Sequence, residues 1–171
     1  MSTAIKLIIS LLLCFGAAAI GGFATANSLS DWYFELKKPV FNPPNWLFGP
    51  VWSILYTFMA IALWRVWSLP KNSNSYKISG TLDLKPSPIR DVALVWFFIQ
   101  LALNTLWSFL FFYFQWPLAA FIEILILWFA ILMTIIKFYK LVPWTIWLLL
   151  PYLLWVSFAT LLNGAISWLN M

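Results

Sequence analysis

The sequence predicts an all-α integral membrane protein, a bundle of five transmembrane helices with an aromatic, proline-rich first loop as its lid. Three observations carry this. Of the 171 residues, 64% are hydrophobic and only 9% charged, with a mean hydropathy of +0.91. No soluble core of this length needs so much apolar surface. Five apolar runs reach the roughly 20 residues that cross the hydrocarbon core as a helix: about 5–26, 45–67, 91–114, 117–138 and 143–169. Between the first two lies a stretch unlike either, residues 31–52. The length leaves little room for a soluble domain, so residues 1–171 read as a single membrane domain.

The charge pattern narrows the function classes. A net charge of +5 raises nucleic acid as a partner, but the ten basic residues are scattered between apolar runs. They are topology signals rather than a phosphate-binding patch, and no nucleic-acid partner is expected. With one cysteine and no histidine, zinc, haem–His and Cys–His sites are argued against. No metal and no cofactor is expected.

The first segment becomes rich in Gly and Ala toward its end. Ala17/Gly21 and Ala18/Gly22 form small-xxx-small pairs that let a neighbouring helix approach closely. Its Ala24-Thr25-Ala26 ending also resembles a signal-peptide cleavage site, so a processed leader is the rival reading. Cys14, inside this run, behaves as a small hydrophobe.

In the loop that follows, Pro39, Pro43, Pro44 and Pro50 fix φ and remove backbone donors, so no single helix or strand fits. It is nevertheless too aromatic for a solvated linker: Trp32, Tyr33, Phe34, Phe41, Trp46, Phe48 and Trp52 all favour burial. Either the loop packs down as a lid or its aromatics mark the membrane interface. Asn45 is the expected N-cap of the second segment. Residues 68–90 form a hydrophilic surface loop to which no chemistry is assigned. The short Gln115-Trp116-Pro117 turn makes segments three and four antiparallel neighbours. Pro143 opens the fifth segment, and Pro151 should kink it.

Lys6, Arg65, Lys71, Lys77, Lys85, Arg90, Lys137 and Lys140 flank one side of the membrane, and only Lys37 and Lys38 flank the other. The expected orientation puts the N-terminus and the 68–90 loop in the cytoplasm and the C-terminus opposite.

Polar groups inside a bilayer are costly, so each is a candidate for function. Gln100, Asn104, Trp107, Ser108 and Phe111 share one helical face of segment three. Tyr152, Trp155, Ala159 and Asn163 form a stripe on segment five. Glu123 lies roughly 9 Å deep by helix rise. No Lys or Arg lies at that depth, so it is either protonated or hydrogen-bonded to neighbouring side chains, and a helix-joining role and a proton-linked function both stay open. With the derived orientation, Trp52, Asn104, Trp107, Ser108, Glu123 and Asn163 share the half of the membrane beneath the aromatic loop. That describes a polar and aromatic cavity, though Asn, Gln and Ser also serve simply to join membrane helices.

These residues resemble the translocator protein family, also called the tryptophan-rich sensory or peripheral-type benzodiazepine receptor family. The matching pieces are Trp32-Tyr33, Leu36, Lys38-Pro39, Phe41-Asn42-Pro43-Pro44, Phe48 and Pro50-Val51-Trp52 in the loop. Further on they are Gln100-Leu101, Leu103-Asn104, Trp107-Ser108 and Phe111-Phe112, then Glu123, Pro151-Tyr152-Leu153, Trp155, Phe158-Ala159-Thr160 and Leu162-Asn163. The resemblance implies a five-helix bundle, often a homodimer, in a bacterial-type plasma membrane. It implies a ligand site beneath the first loop for tetrapyrroles and other apolar planar molecules. The implied lining is Tyr33, Trp52, Asn104, Trp107, Ser108, Trp155 and Ala159. It further implies light-dependent porphyrin breakdown involving Trp52 and Trp155 as reactants. The family's sterol motif is not matched: residues 159–171 lack its basic residue and carry Gly164 near the expected Tyr. Lys137-Phe138-Tyr139-Lys140-Leu141 fits only a reversed, weak pattern.

A membrane receptor or sensor is the leading reading. A small transporter of porphyrins or other amphipathic molecules is the alternative, although no inverted repeat or paired broken helices mark one. A scaffold with an incidental cavity is a third.

Overall fold

The structure is a computed structural model and describes residues 2–26, 32–70 and 89–171. Lys71, Lys77 and Lys85, and most of the 68–90 loop, lie outside the described residues. The elements are α1 (Thr3–Ala26), the short α2 (Trp32–Glu35), α3 (Asn45–Trp67), α4 (Ile89–Ser108), α5 (Pro117–Leu141) and α6 (Ile146–Leu169). A π-turn over Phe109–Tyr113 extends α4, and a 3₁₀ turn over Pro143–Thr145 opens α6. With these extensions, five helices among the described residues are long and apolar enough to cross a membrane. They close a ring in which α1 packs on α3, α3 on α6, α6 on α5, α5 on α4 and α4 back on α1.

Several boundaries differ from expectation. The N-cap of α3 is Pro44 rather than Asn45, which is already helical and makes no capping bond. Proline wins because its fixed φ of −59° sets the entry into the first turn. The third span starts at Ile89 rather than near residue 91, and α5 runs on to Leu141 rather than ending near 138. At the far end of α4 a wide turn replaces the expected regular helix. The Phe114 amide bonds the Phe109 carbonyl at 2.8 Å, and the Trp116 amide bonds Leu110 at 3.0 Å. Gln115 turns the chain with φ of 57°.

Small residues set the closest approach. A Cβ on Gly21 would lie 3.1 Å from the Ser108 hydroxyl, so the missing side chain lets α1 and α4 meet there without crowding. At one end the ring is filled: Leu55, Met59, Leu63, Phe97, Leu127, Ile131 and Phe138 form a continuous core. At that end the Trp67 carbonyl, at the negative end of the α3 dipole, accepts from Lys6 Nζ at 3.3 Å and Arg90 Nη2 at 3.0 Å. At the other end a smaller cluster gathers Tyr33, Phe111, Ala120, Leu162 and Ile166 beneath the loop.

Two polar knots join the helices between these clusters. The Tyr56 hydroxyl donates to Asn104 Oδ1, and Asn104 Nδ2 donates to the Tyr152 hydroxyl at 3.0 Å, tying α3, α4 and α6 together. One turn on, Trp107 Nε1 donates to Asn163 Oδ1 at 3.1 Å. Asn163 Nδ2 in turn reaches the Pro117 carbonyl at 2.9 Å, tying α4, α6 and α5.

The first knot makes a prediction. Asn104→Leu leaves both buried phenols without this partner and should destabilise the bundle by about 1–2 kcal/mol, the membrane scale for two such bonds. Tyr56→Phe, which removes one bond, should cost about half as much. Reversible unfolding in mixed micelles measures both; unchanged stability in Asn104→Leu would show that the knot does not hold the helices.

Candidate functional site

Just above the Tyr56–Asn104–Tyr152 knot the ring is hollow. A cavity of about 550 Å³ opens between α1, α3, α4 and α6 under the loop, well inside the size range of small-molecule sites. Each wall follows from its residues. On α1, Ala18, Gly21, Gly22 and Thr25 present a small-residue face. A Cβ on Gly22 would meet nothing within 4 Å, and the same holds for Gly49 on α3. These two missing side chains leave open space rather than a close contact.

All seven residues expected to line a ligand site border this one cavity: Tyr33, Trp52, Asn104, Trp107, Ser108, Trp155 and Ala159. Asn163 lines it too. Two polar residues from the same sequence reading do not. Gln100 lies deeper in the bundle, buried, with Nε2 only 3.8 Å from Met59 Sδ. Glu123 sits on α5, and α5 contributes no residue to the cavity wall. Nor is Glu123 hydrogen-bonded by its neighbours as that reading allowed: it is buried and both carboxyl oxygens lack a partner.

The three tryptophans differ in what holds them. Trp107 stacks on Phe111 with centroids 5.2 Å apart, and its N–H is taken by Asn163. Trp52 leans on Tyr56 at 5.6 Å and meets Tyr152 edge-on at 6.2 Å. Trp155 meets Phe48 edge-on at 5.9 Å. Behind it, on the outer surface of α3 and α6, runs a shallow groove lined by Val51, Ile54, Leu154 and Phe158. Trp155 borders both spaces.

The loop packs down as a lid, though not with every aromatic. Tyr33 is buried, tilted against Phe112 at 5.8 Å and edge-on to Phe111 at 6.4 Å. Trp32 meets Phe111 edge-on at 5.7 Å. Phe34, Phe41 and Trp46, also expected to be buried, are exposed instead. Phe34 sits on α2 and Trp46 in the first turn of α3, so helix geometry rather than loop packing directs both, and Phe34, though exposed, still borders the cavity. Two further bonds fasten the lid. The Lys37 N–H donates to Asn170 Oδ1, and Asn170 Nδ2 donates back to the Lys37 carbonyl, each at 3.0 Å. This pair ties the loop to the end of α6. The Tyr33 hydroxyl donates to Asn42 Oδ1 at 3.2 Å; burial raises its pKa, with the Asn42 bond opposing weakly, so it stays a neutral phenol.

The α1 wall was not anticipated as part of a site, because its small residues read only as a packing face. Their spacing at i, i+3, i+4 and i+7 was the available signal. Tyr56 was missed as well; it stands one turn below Trp52 on the same helix face. No lining residue is charged. The cavity therefore offers flat aromatic faces and a few polar groups, and no conventional acid–base or nucleophilic set.

Comparison with known proteins agrees with this architecture. The family described as TspO/MBR matches residues 10–169. A tryptophan-rich protein TspO of Archaeoglobus fulgidus is 40% identical over 168 residues, covering 97% of both chains. A tryptophan-rich sensory protein of Cereibacter sphaeroides is 34% identical, over 90% of this chain and 87% of its own. The human translocator protein is 33% identical over 77% of this chain and 70% of its own. The chain is a multi-pass integral membrane protein and belongs to the TspO/MBR family.

Proposed function

We propose that this protein is a membrane receptor or sensor whose cavity binds a planar, largely apolar ligand of the tetrapyrrole class. The observation that carries the reading is the convergence of Trp52, Trp107 and Trp155, from three helices, on one uncharged space under a fastened lid. Indole faces stack on flat macrocycles, and burial of such a face is the main source of affinity available here. The word "sensory" in the Cereibacter relative's name favours this class. Transport is the second reading, favoured by the name of the human relative. Against it, the end of the ring away from the lid is packed with the buried Leu55–Met59–Phe97–Leu127 core. Light-dependent breakdown of the bound porphyrin is proposed as an accompanying activity, with Trp52 and Trp155 as the oxidisable groups. A homodimer is also proposed, supported by the resemblance alone.

The two roles of the tryptophans separate by substitution. Phenylalanine keeps a flat apolar face but lacks the electron-rich indole. The Trp52→Phe, Trp155→Phe double variant should keep its dark affinity for protoporphyrin within about threefold. It should bleach bound porphyrin about tenfold more slowly under light, a barrier increase of roughly 1.4 kcal/mol. Fluorescence titration in the dark and absorbance decay under illumination measure the two. Bleaching at the wild-type rate would make these residues walls rather than reactants.

Orientation is proposed from the basic residues: the lid faces away from the cytoplasm and the α5–α6 turn faces it. The native Cys14 is buried and should stay silent. Cysteines at the exposed Val40 and Lys140 positions should then label from opposite faces of sealed vesicles. Labelling from one face would reverse the assignment.

A further inference from the structure

The cavity carries no charged side chain, so the enclosed part of a ligand must be neutral. Charge is found instead at its rim. Lys38 follows α2, and its Nζ sits 4.4 Å from the centroid of the Tyr33 ring and 5.5 Å from that of Phe34. Both rings line the cavity. Nζ also donates to the Phe34 carbonyl at 3.4 Å. The ammonium thus lies over two rings that border the cavity, while Lys38 itself is not part of its wall. An ammonium has three donors, and this arrangement uses one.

No carboxylate answers this cation among the described residues. The one ion pair there is Arg90–Asp91, where Arg90 reaches the Trp67 carbonyl at the filled end of the ring. Lys37, beside it, is exposed and held through its backbone by Asn170, so its ammonium is not positioned as that of Lys38 is. A lysine fixed over the ring that walls an uncharged cavity offers its remaining donors to a ligand edge emerging from that cavity.

We propose that Lys38 is a carboxylate-recognition residue at the cavity mouth, and that the ligand is a planar apolar molecule with an acid group on its edge. This rests on the reading above, that the cavity holds a planar ligand, and sharpens it. A wholly neutral lipid would leave the remaining Lys38 donors to water, whereas an amphipathic acid buries its flat body and brings its carboxylate to them.

Protoporphyrin and its dimethyl ester separate the two cases, because they share the macrocycle and differ in charge. Titration in micelles of an uncharged detergent, followed by tryptophan quenching, removes anionic lipid headgroups as a source of the effect. The wild-type protein should bind the acid about tenfold more tightly than the ester, the scale of one charge-assisted contact. Lys38→Gln should abolish that preference while leaving ester affinity unchanged, Lys38→Arg should retain most of it, and Lys37→Gln should alter it less than about twofold. Equal wild-type affinity for acid and ester would overturn the proposal while leaving the cavity site standing. So would a loss in Lys37→Gln as large as in Lys38→Gln, which would indicate diffuse surface charge. An equal loss of acid and ester in Lys38→Gln would make the lysine a structural prop of the lid and also overturn it. Binding of neither probe to the wild-type protein would remove the cavity reading and this one together.

Discussion

The side chain of Asn104, held between two phenols, is the interaction on which the rest of the arrangement depends. In a bilayer no hydrophobic force presses helices together, so shape, small residues and interhelical hydrogen bonds decide where they sit. Asn104 uses its carbonyl toward Tyr56 and its amide toward Tyr152, and so fixes α3, α4 and α6 at one level. Below that level large apolar side chains fill the ring. Above it the residues are small on α1 and aromatic on the other walls, and the space stays open. The knot is therefore the floor of the cavity as well as the joint of the bundle.

An open space in a membrane protein also needs support from above. Asn163 provides part of it by joining Trp107 to the start of α5, which keeps the upper turns of α4 and α6 at a fixed distance. The lid provides the rest. Tyr33 wedges against Phe111 and Phe112, residues that the π-turn at the end of α4 carries to the cavity. Such wide turns often occur at functional sites. Asn170, near the chain's end, then binds Lys37 through both its amide groups, so the last helix helps hold the first loop down. Lid, floor and walls form one connected set of contacts.

Much of this was legible in the sequence, and the reasons are physical. Polar residues inside apolar helices are few and expensive, so Asn104, Trp107, Ser108 and Asn163 stood out without any structure. Prolines and aromatics in the 31–52 stretch excluded a linker. What stayed hidden depended on which face a small residue turns to. Gly21 and Gly22 look alike in sequence, yet one meets Ser108 and the other meets empty space. The π-turn after Ser108 has no strong local signature either. Glu123 misled by depth alone: it lies at the right level but on α5, the one long helix that stays out of the cavity wall.

The claim at the centre is that the space above Asn104 holds a flat ligand. A structure of the protein determined in lipid with protoporphyrin bound tests it most directly. The macrocycle is expected between Trp52, Trp107 and Trp155, beneath Tyr33. An empty cavity with porphyrin seated on the outer groove between α3 and α6, or elsewhere on the lipid-facing surface, would contradict it.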